Sequence, residues 1–186
     1  MSNSSESPHD QFMIDLKKFT AVTAVGVQAL RRQGVGVIGN IQKYLVTLDL
    51  SQTTSLKDQD SFIHWLDEVT DALNEKHKVS WGAARKAINL FLRACFYDRY
   101  LSVEFGLDHL ETWLETPLDS VIAGQLREEK VRKDAGRCSL PTWHGLSELD
   151  QEGSRRFQDY ANQMATDRKL SRVHLDIGLW VNNRKQ

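Results

Sequence analysis

The sequence predicts an all-α protein. Over most of its 186 residues, apolar side chains recur at intervals of three and four, the spacing that places them on one face of a helix. Helix-start residues precede several of these segments. Residues 172–180 alternate apolar and polar side chains as a strand does, but they fit a short helix beginning near His174 equally well. In such a helix, Asp176 and Trp180 would share one face.

We expect the fold to be organised around the helix predicted for residues 79–100. On this helix Lys86, Asn89 and Arg93 form a narrow polar strip, and the rest of its surface is strongly apolar. A lysine in this setting most often extends its methylenes to reach solvent. The alternative is a pocket in which burial lowers the lysine pKa and makes the amine nucleophilic. The apolar ridge consists of Ala84, Ile88, Phe91 and Cys95, widened by Leu92 and Phe96.

The same spacing predicts the other helices. Residues 41–50 fit a short helix or an extended piece, and residues 51–57 a polar loop. The glycines in residues 34–39 match the spacing of a dinucleotide-binding motif, but they follow a helical, basic segment rather than a strand. We therefore predict a turn between helices there. The remaining helices are expected in residues 12–32 (one or two helices), 61–73, 107–114, 117–130 and 147–169.

The sequence Thr116-Pro117-Leu118-Asp119 is a strong helix start. It offers a threonine as the cap, a proline in the first turn and an acid three residues after the cap. On this pattern alone, Asp119 is a side chain that satisfies backbone donors and favours the helix dipole.

Composition and charge indicate one soluble domain. We expect a disordered polar leader in residues 1–11 and a single helical domain in residues 12–186. With 24 basic and 25 acidic residues, the chain is poorly suited to bind DNA non-specifically along its length. An enzyme that acts on one lesion can still confine positive charge to one face. No apolar run approaches the ~20 residues that span a bilayer, so we expect no membrane partner. Cys95 and Cys138 lack metal-ligand spacing, and we expect free thiols in a reducing cytoplasm.

Three short motifs follow one another in the chain. The first is Lys86 in an apolar helix after a tight, basic connection between helices, and the second is the Pro-Leu-Asp start that ends at Asp119. The third is a C-terminal His-Leu-Asp sequence with Trp180 four residues after Asp176. Together they resemble the helix-hairpin-helix DNA glycosylase/lyase superfamily, most closely the archaeal-type 8-oxoguanine DNA glycosylases and their bacterial relatives. The hairpin glycine pair usual in that superfamily is reduced to Gly82.

This resemblance implies a helix-hairpin-helix DNA-glycosylase-like helical domain. A cleft would lie between two helical lobes, with the lysine and aspartate helices within residues 61–130. Lys86 would be the nucleophile and Asp119 the carboxylate beside it, while Asp176 and Trp180 would hold the extruded base. Leu90 and Phe91, near the position of an aromatic residue of the family, would contact the substrate. The side chains expected to bind a phosphate or the opposite strand are Arg85, Asn89 and Arg93.

The implied function is a bifunctional DNA glycosylase/AP lyase that excises an oxidised or modified purine, 8-oxoguanine first, through a lysine Schiff base. Its partner would be double-stranded DNA with a damaged or modified base, and we expect a monomer in the cytoplasm, associated with the nucleoid. No metal or other cofactor is implied, because two cysteines cannot supply the four thiolates of an iron–sulfur cluster. The alternative is a non-catalytic helical DNA-binding or protein-interaction module, with Lys86 solvated, Asp119 only a cap and Trp180 in the core.

Overall fold

The structure is a computed structural model that describes residues 7–30 and 35–183. Within these residues every regular element is helical, which confirms the all-α fold class. No helix in this part of the chain combines the length and the hydrophobicity needed to cross a bilayer. The helices are α1 (Pro8–Ala24), α2 (Val35–Thr47), α3 (Gln59–His77), α4 (Trp81–Tyr97), α5 (Arg99–Glu104), α6 (Ser120–Lys133), α7 (Gln151–Asp167) and α8 (Leu175–Asn183), with short 3-10 helices at Leu50–Ser55, Leu107–Leu110 and Arg172–His174.

Polar side chains define the start of most of these helices. In each case a serine or aspartate precedes the first turn, and its side-chain oxygen accepts a hydrogen bond from a backbone N–H of that turn. The caps also explain why α4 and α5 are separate helices, since Asp98 ends the first and caps the second. The N-cap residues are Ser7, Asp58, Ser80, Asp98, Asp119 and Asp150.

Three sequence predictions need correction in the N-terminal part of the chain. Helix α1 begins at Pro8, so residues 8–11 are helical and not part of a disordered leader; residues 1–6 lie outside the described residues. Helix α2 begins at Val35, where we predicted a turn. The predicted polar loop at residues 51–57 is largely the 3-10 helix Leu50–Ser55.

Burial explains why α2 tolerates glycines. Ile38, Ile41 and Leu45 occupy one face of this helix and are almost completely buried. Each buried side chain of this size stabilises the fold by about 1.5–3 kcal/mol. A glycine inside a helix costs only about 1 kcal/mol relative to alanine. The helix therefore continues through Gly36 and Gly39.

The buried apolar side chains form two clusters. The first extends from Met13 to Leu114 and includes Val173, so it contains residues of all five helices from α1 through α5. The second extends from Leu118 to Leu179 and joins α6, α7 and α8. Leu146 packs against both. The chain passes from one cluster to the other at residues 115–118, just before Asp119.

Helix α4 is the central helix, as predicted. It packs against α1, α2, α3, α5 and α7. The predicted ridge is fully buried at Ala84, Ile88, Phe91 and Cys95. The position of Lys86 is therefore determined by neighbours on nearly every side of the helix.

The connection from α3 to α4 is tight. Lys78 adopts the left-handed conformation at φ 54°, and Ser80 then caps α4. Gly82 lies in the first turn against residues of a later loop, and Ser80 Oγ donates a hydrogen bond to Leu146 O at 3.0 Å. A Cβ on Gly82 would lie 2.5 Å from Leu146 O and 2.7 Å from Leu149 Cβ. Glycine is thus required here by close packing.

We expect Gly82→Ala to destabilise the protein by about 1–3 kcal/mol, because backbone atoms of the loop must move to admit the methyl group. The free energy of unfolding in urea measures this effect. Gly124→Ala is the matched control, since a methyl group on this α6 residue would have no neighbour within 4 Å beyond the backbone of its own helix. It should be neutral or stabilising by up to about 1 kcal/mol. Equal effects from the two substitutions would contradict the packing explanation.

Candidate functional site

A pocket of about 490 Å³ lies where the two apolar clusters meet. Its walls come from the turn after α1, from α4, from the start of α6 and from α8. Four charged side chains border it together with a larger set of apolar groups. Its lining residues are Gln28, Ala29, Lys86, Leu90, Arg93, Pro117, Asp119, Ile122, Asp176, Ile177, Trp180 and Val181.

Lys86 points into this pocket. Its side chain is only 8% exposed. The amine donates a hydrogen bond to Ala29 O at 2.7 Å and lies 3.4 Å from Asp119 Oδ2. Of the two positions considered for this lysine, it occupies the pocket rather than extending into solvent. The carboxylate beside it provides an acceptor for a proton of the ammonium group.

The two carboxylate oxygens of Asp119 make different contacts. Its Oδ1 accepts hydrogen bonds from Val121 N and Ile122 N, both at 3.0 Å, and so caps α6. Its Oδ2 faces Lys86. The predicted cap at Thr116 is wrong by three residues, because Asp119 itself is the N-cap and α6 begins at Ser120. The cap explanation and the catalytic explanation of Asp119 are therefore compatible, since each uses a different oxygen.

Asp176 lies on α8 and forms an ion pair with Arg93 of α4. Its Oδ2 makes this contact, while its Oδ1 is buried and has no hydrogen-bond partner within the described residues. The pair joins the two helices across the pocket. A carboxylate in this position accepts hydrogen bonds only, so it is suited to a ligand that presents an N–H or O–H group.

Of the aromatic and apolar residues that we predicted to contact the base, two line the pocket and one does not. Trp180 lies one turn after Asp176 on α8 and is 47% exposed at the pocket. Leu90 also lines the pocket. Phe91 does not, because it lies on the buried face of α4 and is completely enclosed in the core.

Two of the three residues expected to bind DNA are also turned away from the pocket. Arg85 and Asn89 are buried on another face of α4, where both bind Glu115. Arg85 also donates to Asp67 Oδ1 at 2.8 Å and lies over the ring of Trp81. In this arrangement their side chains hold the fold together and present no group to a phosphate. Only Arg93 of the three borders the pocket.

The opposite charges of Glu115 and Arg85 each favour the ionised form of the other. Burial disfavours the Glu115 carboxylate, but the charge of Arg85 and its hydrogen bonds outweigh this effect, aided by Arg172 and Asn89, and lower the pKa of Glu115. Burial likewise opposes the charge of Arg85, yet Glu115 and Asp67 raise its pKa. The buried cluster is therefore ionised.

Sequence patterns missed two contributors to the site. The carbonyl of Ala29 binds Lys86 from 57 residues away, and a backbone group carries no side-chain signal. Gln158 binds the backbone of Thr116 just before Asp119. It sits on the buried face of α7, where its polarity among apolar neighbours was the available signal.

No protein-family model matches the chain, and no curated protein or solved structure was found to match it. The resemblance to helix-hairpin-helix glycosylases therefore rests on the three motifs, and the case for function rests on how the pocket is built.

Proposed function

We propose that this protein is a DNA glycosylase/AP lyase that excises an oxidised or modified purine, with 8-oxoguanine as the first candidate. The observation that carries the proposal is the contact of Lys86 Nζ with Asp119 Oδ2, at 3.4 Å, in a pocket shared with Asp176 and Trp180. These four residues come from α4, from the N-cap of α6 and from α8. Their convergence on one pocket supports a common site.

In the proposed reaction, Asp119 accepts a proton from the Lys86 ammonium group, and the neutral amine attacks the anomeric carbon of the nucleotide. A carbon–nitrogen bond to Lys86 forms as the glycosidic bond breaks, and the departing base takes the bonding electron pair and the proton that Asp119 accepted. Opening of the sugar ring then gives a Schiff base. Loss of a proton from the adjacent carbon expels the 3′ phosphate and cleaves the strand.

The remaining pocket residues suit an extruded base. Trp180 offers a flat, half-exposed surface for stacking, and base–aromatic stacking contributes about 1–3 kcal/mol. Asp176, held by Arg93, would accept hydrogen bonds from the edge of the base. Ile177 and Val181 extend the apolar surface of α8 beside Trp180.

The same contacts weigh against the non-catalytic alternative. In that alternative Lys86 is solvated and Trp180 belongs to the core, whereas Lys86 is buried and Trp180 is nearly half exposed.

Borohydride trapping tests the proposal. The protein is incubated with a duplex that contains 8-oxoguanine, then with duplexes that contain other oxidised purines or an abasic site, and the Schiff base is reduced to a stable amine. We expect a covalent protein–DNA adduct and release of the free base. Absence of both with every lesion, together with equal binding of damaged and undamaged duplex, would overturn the proposal in favour of a binding module.

A further inference from the structure

The backbone of Thr116, three residues before Asp119, is held by one buried side chain, Gln158 of α7. Gln158 Oε1 accepts a hydrogen bond from Thr116 N at 3.1 Å, and Gln158 Nε2 donates one to Thr116 O at 2.8 Å. Both polar groups of the Thr116 backbone are satisfied in this way, as they would be by a neighbouring strand. Gln158 is 2% exposed and Thr116 is fully buried, so water does not replace these bonds.

Little freedom remains between this contact and Asp119. Pro117 has a fixed φ angle, and Leu118 is buried in the second apolar cluster. On the other side of Thr116, Glu115 is anchored by Arg85. A shift of the Thr116 backbone is therefore transmitted to the Asp119 carboxylate, which faces Lys86 with one oxygen and the first turn of α6 with the other.

We infer that Gln158 is a positioning residue that fixes the Asp119 carboxylate against the Lys86 amine by holding the Thr116 backbone. The catalytic meaning of this inference rests on the proposed glycosylase function, but the positioning itself can be measured without DNA. It assigns a role to a polar side chain on α7 that lies outside the three motifs and does not line the pocket of Lys86.

The first test measures the pH dependence of Lys86 labelling by an amine reagent, read by mass spectrometry. Asp119 favours the charged form of the lysine, so Gln158→Met, which keeps the side-chain length and removes both hydrogen bonds, should move the labelling midpoint to lower pH by about one unit. The other charged groups of the pocket, Arg93 and Asp176, compensate each other as an ion pair.

Asp119→Asn provides the decisive comparison. If Gln158 acts through Asp119, the double variant should show no larger shift of the labelling midpoint than Asp119→Asn alone, because the two changes remove the same interaction. Gln163→Met is the matched control, since Gln163 is an exposed residue of the same helix, and it should leave the midpoint unchanged. An unshifted midpoint in Gln158→Met, or an additive shift in the double variant, would overturn the inference.

The second test measures the rate of the borohydride adduct. Gln158→Met should slow adduct formation by about 10- to 100-fold with little change in DNA affinity, as expected for a misplaced catalytic group. If Gln158→Met does not fold, Gln158→Leu serves instead, because leucine also removes both hydrogen bonds to Thr116 and adds no charge. If the unaltered protein forms no adduct and releases no base from any lesion, and binds damaged and undamaged duplex equally, the proposed function fails, and the labelling midpoints alone decide whether Gln158 positions Asp119.

Discussion

Lys86→Gln should abolish the borohydride-trapped adduct. Glutamine has a similar length and can still donate a hydrogen bond to Ala29 O, so the pocket wall is kept. Its amide nitrogen is not basic and cannot form a Schiff base. The adduct is measured on denaturing gels, with Lys57→Gln as the matched control because Lys57 is an exposed lysine outside the pocket. An adduct of normal yield in Lys86→Gln would show that another amine reacts and would refute the assignment.

Asp119→Asn extends the same test, since it separates the helix cap from the proposed catalytic role of this residue. Asparagine caps helices as well as aspartate does, so the hydrogen bonds from Val121 N and Ile122 N should persist and α6 should stay intact. Only the charge next to Lys86 is lost. We expect adduct formation to slow by about 10²- to 10⁴-fold, the range for a general acid–base group, with little change in the free energy of unfolding. An unchanged rate of adduct formation in Asp119→Asn would mean that Asp119 is only a helix cap.

The helices of this protein were largely predictable because each carries its own local signals. The apolar ridge of α4 follows from residue spacing alone, and so does its burial. The segment 172–180 illustrates the limit of such signals. Its pattern fits a strand and a helix equally well, and it becomes helical where Leu175 and Leu179 reach the second apolar cluster, a contact that spacing cannot reveal.

The direction of a side chain on a buried helix was less predictable. Arg85 and Lys86 are adjacent, and successive residues of a helix are rotated by about 100°. One therefore faces Glu115 and the other faces Asp119, in contacts that span 30 and 33 residues of sequence. No local pattern tells which of two neighbouring cations meets a buried acid and which enters a pocket.

Thr116 shows a different limit of predicting helix starts from local sequence. Threonine followed by proline is a strong helix start by local rules, yet the helix begins at Ser120. The helical conformation is disfavoured for the residue before a proline, and Gln158 binds both polar groups of the Thr116 backbone. The N-cap is Asp119, the residue that faces Lys86, and local rules do not include the tertiary contact between Gln158 and Thr116.

The second large effect is expected at Glu115. Glu115→Gln should lower the free energy of unfolding by about 3–5 kcal/mol, because it leaves Arg85 and Arg172 buried with less compensating charge. Glu115 accepts hydrogen bonds from Arg85 at 2.9 and 3.0 Å and is itself 4% exposed. Urea denaturation measures the loss. Glu68→Gln is the matched control, since its ion pair with His64 is solvent-exposed and should contribute less than about 1 kcal/mol.

The pH dependence of stability gives this prediction a second, independent measurement. The pKa of Glu115 is lowered in the folded protein below its ordinary value of 4.5, so its contribution is fully present above that pH and is lost as pH falls through the lower, folded value. The unaltered protein should therefore lose stability below about pH 4.5, while Glu115→Gln lacks this part of the decline. The difference in unfolding free energy between the two proteins should narrow as pH falls. A difference that stays constant down to the acid limit of folding would mean that Glu115 stabilises the fold by shape and not by charge.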